Sequence, residues 1–151
     1  MVILLSPSKT MREEKIEHPE PTSPVFPEMT SKVIRKLRGL TKKDLKKQMG
    51  ISDKLTDLNY TRFKNFDLNF GPLSGQAAIF SYEGDVYAGL ESPSWSQEDL
   101  KYAENRLLIL SGLYGVLHPS TLVQPYRLEM GGKAKIGRNS LYKFRSQEVT
   151  A

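Results

Sequence analysis

The sequence predicts a mixed α/β domain, a sheet with helices around it, on three observations. The apolar run Val2–Leu5 stops at Ser6 and Pro7, as a buried strand near the centre of a sheet does. From Thr30 onward apolar residues recur at helical spacing under a coat of Lys and Arg. Beyond Gln76, short β-type runs alternate with glycine and proline breaks and with one capped helix.

Composition narrows the function classes. A chain of 151 residues suits a single domain, 1–151, on a prior of about 100–200 residues each. Its 38% hydrophobic content points to a thin core. There is no cysteine, which removes thiol peroxidase chemistry, thiolate zinc sites and cysteine-held iron–sulfur clusters. Val2–Leu5 is too short for a signal-peptide core of about 7–15 residues, and nothing approaches a span of about 20 apolar residues. The expectation is a cytosolic protein with no membrane partner, no cofactor and no metal, its oligomeric state left open.

The formal charge of +5 is segregated. Residues 31–54 carry nine Lys or Arg against Asp44 and Asp53, and residues 131–145 carry Lys133, Lys135, Arg138, Lys143 and Arg145 against no acid. Residues 1–30 and 55–130 are acidic. Such blocks are either the footprint of a polyanion partner or solvated lysine-rich helices.

In chain order, the first strand hands over to the loop SPSKT, Ser6–Thr10, at the carboxyl end where open α/β sheets place ligands. Lys9 with Ser6, Ser8 and Thr10 suits a phosphate or carboxylate, or forms an ordinary strand-to-loop turn; it is not a P-loop. Prolines at 19, 21, 24 and 27 make the next stretch irregular, with His18 a solvated loop residue. Val33, Ile34, Leu37 and Leu40 define a helix from Thr30 or Ser31 that Gly39 closes. Thr41 and Asp44 start a second, Lys42 to Met49, ended by Gly50, and Ser52 begins a third. Lys42, Lys43, Lys46 and Lys47 share a broad face. Around Arg62, Phe63 and Phe66 are either stacking aromatics or, more commonly, core.

Gln76–Ser81 and Asp85–Leu90 read as a hairpin turning at Glu83 and Gly84, with Asp85 and Tyr87 on one face as a pocket wall or a satisfied sheet surface. Ser96 and Asp99 form a capping box for a helix whose stripe is Leu100, Ala103, Leu107 and Leu110. It runs into Ser111–Gly115, whose glycines permit a sharp turn. Gly112, Leu113, Tyr114 and Gly115 then either cradle a phosphate in a helix-hairpin-helix-like element or make a helix C-cap and tight turn. Tyr126–Met130 and Leu141–Phe144 read as closing strands.

SGLYGVLHPSTLVQPYRLEMG, together with SPSKT, with ISDKL, LN and RF from Ile51 to Phe63, and with GDVYAGL, resembles the YaaA family of bacterial peroxide stress proteins. His118 stands where that family usually has arginine, Ser8 where it often has alanine, and Arg145 where it often has tryptophan. The chain resembles the first three fifths of a YaaA protein, so its domain is expected to be incomplete at the C-terminal end. The resemblance implies a compact α/β fold with a basic cleft and a helix-hairpin-helix-like element, DNA binding, and protection against hydrogen peroxide by limiting iron-dependent damage.

The leading expectation is therefore a protein that grips double-stranded or structured DNA through phosphates. Gly112–Gly115, Lys9, Arg127 and the four α-helical lysines 42, 43, 46 and 47 would carry the contacts. His118 would weaken them, being mostly neutral at pH 7. The alternative is an enzyme on a phosphorylated or nucleotide substrate, with Ser6, Thr10, Tyr87 and Tyr126 lining a pocket, Lys9 and Arg127 holding the anion, and Asp85 or Glu129 as base. No complete catalytic constellation is legible. A third reading is a fragment whose Val2–Leu5 strand, or whose segment near Val86, is left uncovered.

Overall fold

The computed structural model describes residues 1–12, 14–16 and 21–127, together with the backbone of 135–136 and 139–140. Three strands form the main sheet in the order β1 (Ile3–Leu5), β3 (Leu107–Ser111), β4 (Gly115–Leu117). β1 runs parallel to β3, with Ile3 opposite Leu107, and β3 turns back antiparallel into β4. A second pair joins β2 (Gln76–Ala77) to β5 (Leu122–Val123), and a third joins β6 (Lys135–Ile136) to β7 (Asn139–Ser140). The mixed α/β class is as the sequence predicts.

The basic array is three helices. α1 (Pro27–Arg38) begins three residues before Thr30, because Pro27 occupies the first helical position, where its missing N–H costs nothing. Its Val33, Ile34 and Leu37 are buried. α2 (Lys42–Met49) is capped by the Thr41 hydroxyl, which accepts from the Asp44 amide, and ends at left-handed Gly50. Ser52 caps α3 (Asp53–Lys64) in the same way. α3 packs against both other helices. Arg38 ties the array to the core: its Nε donates to the Phe63 carbonyl at 2.7 Å and its Nη2 to that of Phe66. Phe63 and Phe66 are core, not a stacking platform.

Four expectations need correction. Among the described residues Val2–Leu5 is an edge strand, paired only on its β3 side; Val2, Ile3 and Leu4 are 57%, 47% and 60% exposed. Val86 is exposed as well. The hairpin at Gln76–Leu90 is absent. β2 is two residues long, and the amides of Ala78 and Ile79 turn onto the carbonyls of Thr121 and Pro119, starting the short helix α4 (Ala78–Ser81). Asp85–Leu90 is the helix α5, so Asp85 and Tyr87 do not share a face: Tyr87 is buried and Asp85 exposed.

The third correction concerns the helix leading to the glycine turn. Ser96 and Asp99 do make a complete capping box, but α6 (Gln97–Glu104) ends before Leu107. Leu107–Ser111 is a strand with Leu107, Ile109 and Ser111 buried in alternation, so Ser111–Gly115 closes a β-hairpin and no helix-hairpin-helix element lies there. Fourth, Tyr126 and Arg127 lie outside any strand. Glu129, His18, Leu141–Phe144 and the side chains of the 131–145 basic block lie outside the described residues.

Candidate nucleic-acid interface

The loop after β1 rests on an aromatic floor. Tyr87 donates to the Ser6 carbonyl at 2.6 Å, and the Thr10 amide donates to Ser8 Oγ at 3.2 Å. Gly84, at φ 131°, faces Ser8 so closely that a Cβ there would stand 3.3 Å from its hydroxyl. The tyrosine rings continue inward, Tyr87 to Tyr82 at 5.5 Å, Tyr82 to Tyr126 at 6.4 Å and Tyr126 to Tyr114 at 5.6 Å. Ser6, Thr10, Tyr87 and Tyr126 are thus brought into one region, whereas Asp85 stands in solvent.

Hydroxyls bind this cluster together. Tyr126 lies 2.7 Å from the Tyr82 hydroxyl and 2.6 Å from Ser111 Oγ, which also accepts the amides of Leu113 and Tyr114. The Tyr114 hydroxyl accepts the Gln124 amide. Burial pushes the phenols of Tyr82, Tyr87 and Tyr114 well above their ordinary value. They stay protonated at neutral pH and work as hydrogen-bond groups rather than bases.

The same geometry relocates the anion question. Gly112, Leu113, Tyr114 and Gly115 are all buried, and two of the turn's amides are already bound to Ser111. An external phosphate has no access to those donors. Lys9 is exposed on the loop and Arg127 half-buried after β5. The four lysines at 42, 43, 46 and 47 lie apart from that loop on α2, whose main packing partner is α3.

On α2, Lys46 meets Asp53 at 2.7 Å and Lys42 meets Asp57 at 3.1 Å while lying 5.3 Å from the Tyr60 ring centre. The Lys46 hydrogen bond holds the Asp53 carboxyl below its ordinary value. Lys43 and Lys47, one helical turn apart, are exposed and paired with no carboxylate among the described residues. Lys32, Arg35 and Lys36 cover the exposed face of α1.

A groove that residue patterns did not reveal lies on the other side of α3. It encloses about 240 Å³ and is lined by Arg12, Lys15 and Arg62 over Met11, Leu58 and Val123. These residues come from three distant stretches, so no local motif marks them.

A family model described as peroxide stress protein YaaA matches residues 1–151. The chain belongs to this family. Its curated relatives include a UPF0246 protein of Francisella philomiragia, 40% identical across 100% of this chain and 60% of the relative. A UPF0246 protein of Aliivibrio fischeri strain MJ11 is 43% identical across 99% and 59%, and one of Acaryochloris marina 40% identical across 99% and 60%. The YaaA-family chain described here therefore spans about 60% of the length of the relatives it matches. Among its described residues no helix is long and apolar enough to cross a membrane.

Proposed function

We propose that this YaaA-family chain is part of a DNA-binding protein of the peroxide stress response, one that protects DNA by limiting iron-dependent oxidative damage. The observation that carries the reading is the state of charge on α1 and α2. The only acids of the 31–54 block are Asp44 and Asp53, and Asp53 is already engaged by Lys46, so Lys32, Arg35, Lys36, Lys43 and Lys47 present a net positive surface. Fixed positive charge of this kind takes hold of phosphates with little regard to base sequence. The family's description as peroxide stress proteins supports the biological setting. The contact surface is the helical array with Lys9 and Arg127 as outlying charges, and the Gly112–Gly115 turn serves to hold the β-hairpin.

The test is a titration of labelled duplex DNA over a range of salt. Affinity is expected to fall steeply as salt rises, and each contacting lysine replaced by Glu lowers the slope of log K against log salt by about one. Lys43→Glu with Lys47→Glu is expected to reduce that slope by about two. Lys42→Glu with Lys46→Glu reduces it less, since those charges are shared with Asp57 and Asp53. Salt-independent binding, or binding indifferent to all four changes, rejects the reading. The enzyme alternative is favoured instead if Lys9→Ala abolishes turnover of a phosphorylated substrate while DNA affinity stays constant.

A further inference from the structure

We infer that Tyr60 is the post on which Lys42 and Lys64 are mounted as a two-pronged phosphate clamp, a proposal that rests on the DNA-binding reading and assigns the residue that fixes its cations in place. The clamp lies where α1 ends and α2 begins, beside the last turn of α3. Lys42 Nζ, from the first residue of α2, lies 5.3 Å from the centre of the Tyr60 ring, and Lys64 Nζ, from the last residue of α3, lies 5.2 Å from it. A cation at that distance is attracted by the electron-rich face of the ring. Two ammonium groups so close to one point can close on a single phosphate or on two consecutive phosphates of one strand.

Each prong is held by a second contact, and the two contacts differ. Lys64 Nζ donates to the Arg38 carbonyl at 2.8 Å, at the C-terminal end of α1 where the last carbonyls have no partner within the helix. An ammonium has three N–H donors, so this bond takes one and leaves the charge whole. Lys42 Nζ meets Asp57 at 3.1 Å and so brings only part of its charge to an incoming anion. Both lysines are exposed, whereas Tyr60 is half-buried and packed on the core. The ring is thus a fixed point from which the ammonium groups reach solvent.

This arrangement changes what the charges can do. A free lysine is a flexible point charge that loses rotamer freedom when it grips a phosphate. Lysines already seated over a ring have surrendered part of that freedom on folding, so the contact is tighter for the same charge. A ring engaged in this way serves its cations rather than a base, and the clamp reads the phosphate backbone without sequence preference. Tyr60 is a positioning residue, and Lys64 carries the contact surface from α1 and α2 to the end of α3.

The experiment repeats the salt titration of labelled duplex DNA with variants of the 151-residue chain in which ring and charge are changed separately. Tyr60→Leu keeps an apolar body against the core and every charge in the chain. It is nevertheless expected to lower the slope of log K against log salt by about one, and affinity about fivefold at near-physiological salt. Tyr60→Phe keeps the ring and is expected to stay within about twofold of the parent. Lys64→Gln keeps a donor for the Arg38 carbonyl while removing charge, and is expected to lower the slope by about one. Lys64 is exposed, so this variant reads the clamp even where Tyr60→Leu fails to fold. A parent slope retained by Tyr60→Leu or by Lys64→Gln, or equal losses for Tyr60→Phe and Tyr60→Leu, overturns the clamp and leaves the DNA reading standing. A parent chain that binds no DNA, or binds it regardless of salt, overturns both.

Discussion

Ser111 holds more of this structure than its size suggests. Its hydroxyl accepts two buried amides, those of Leu113 and Tyr114, and pairs with Tyr126. Ser111→Ala orphans them, and each stranded buried group costs about 1–3 kcal/mol. A urea melt is expected to show a loss of at least about 2 kcal/mol with unchanged slope. Ser8→Ala, which loses one exposed bond, is expected to cost under about 0.5 kcal/mol. The tyrosines give a pH signature. In the unfolded chain they ionise near pH 10, whereas burial raises the folded values of Tyr82, Tyr87 and Tyr114. A raised folded value means the contribution is fully present below about pH 10 and is lost as pH climbs above it. Denaturation midpoints measured from neutral to strongly alkaline pH are expected to hold steady and then drop; a flat profile rejects the assignment.

At the scale of elements, local signals were readable and distant pairings were not. Thr41, Ser52 and Ser96 cap their helices because the chemistry needs only the next turn of chain, and the sequence shows that turn. Leu107–Ser111 misleads because Leu100, Ala103, Leu107 and Leu110 continue a helical stripe that Asn105 in fact ends. Pairing between Gln76–Ala77 and Leu122–Val123 joins residues too far apart for periodicity to announce. Two glycines separate these cases experimentally. Gly50 is left-handed with open space around it, so Gly50→Ala costs backbone strain alone, about 1 kcal/mol. Gly75→Ala would drive a Cβ to 2.1 Å from the Val123 carbonyl oxygen, a backbone atom that cannot step aside. That substitution is expected to cost roughly 3 kcal/mol and to loosen the β2–β5 pair, seen as faster amide exchange there.

For the whole molecule, the candidate site was legible in its charges and not in its shape. The lysines of α2 declare themselves by count, whereas Arg12, Lys15 and Arg62 line one groove only once the chain has folded, with Ile16 held to Gln76 of β2. Among the described residues the main sheet ends in an open apolar edge, β1, with Leu4 60% exposed. Unpaired edges of this kind recruit further strands. The chain is expected to self-associate as concentration rises, and Leu4→Lys to suppress this while changing stability by less than about 0.5 kcal/mol. Sedimentation velocity of both proteins checks it, a monomeric parent at high concentration being the contrary result.

The parallel register of Ile3 with Leu107 also sets a timetable. During synthesis β1 leaves the ribosome ahead of its partner and has no β3 to join until Leu107–Ser111 has followed it out, at a pace of about 5–20 residues per second. For those seconds its apolar side chains are exposed to whatever chaperone surface waits at the exit port. β1 is made before the strand it pairs with, and docks late.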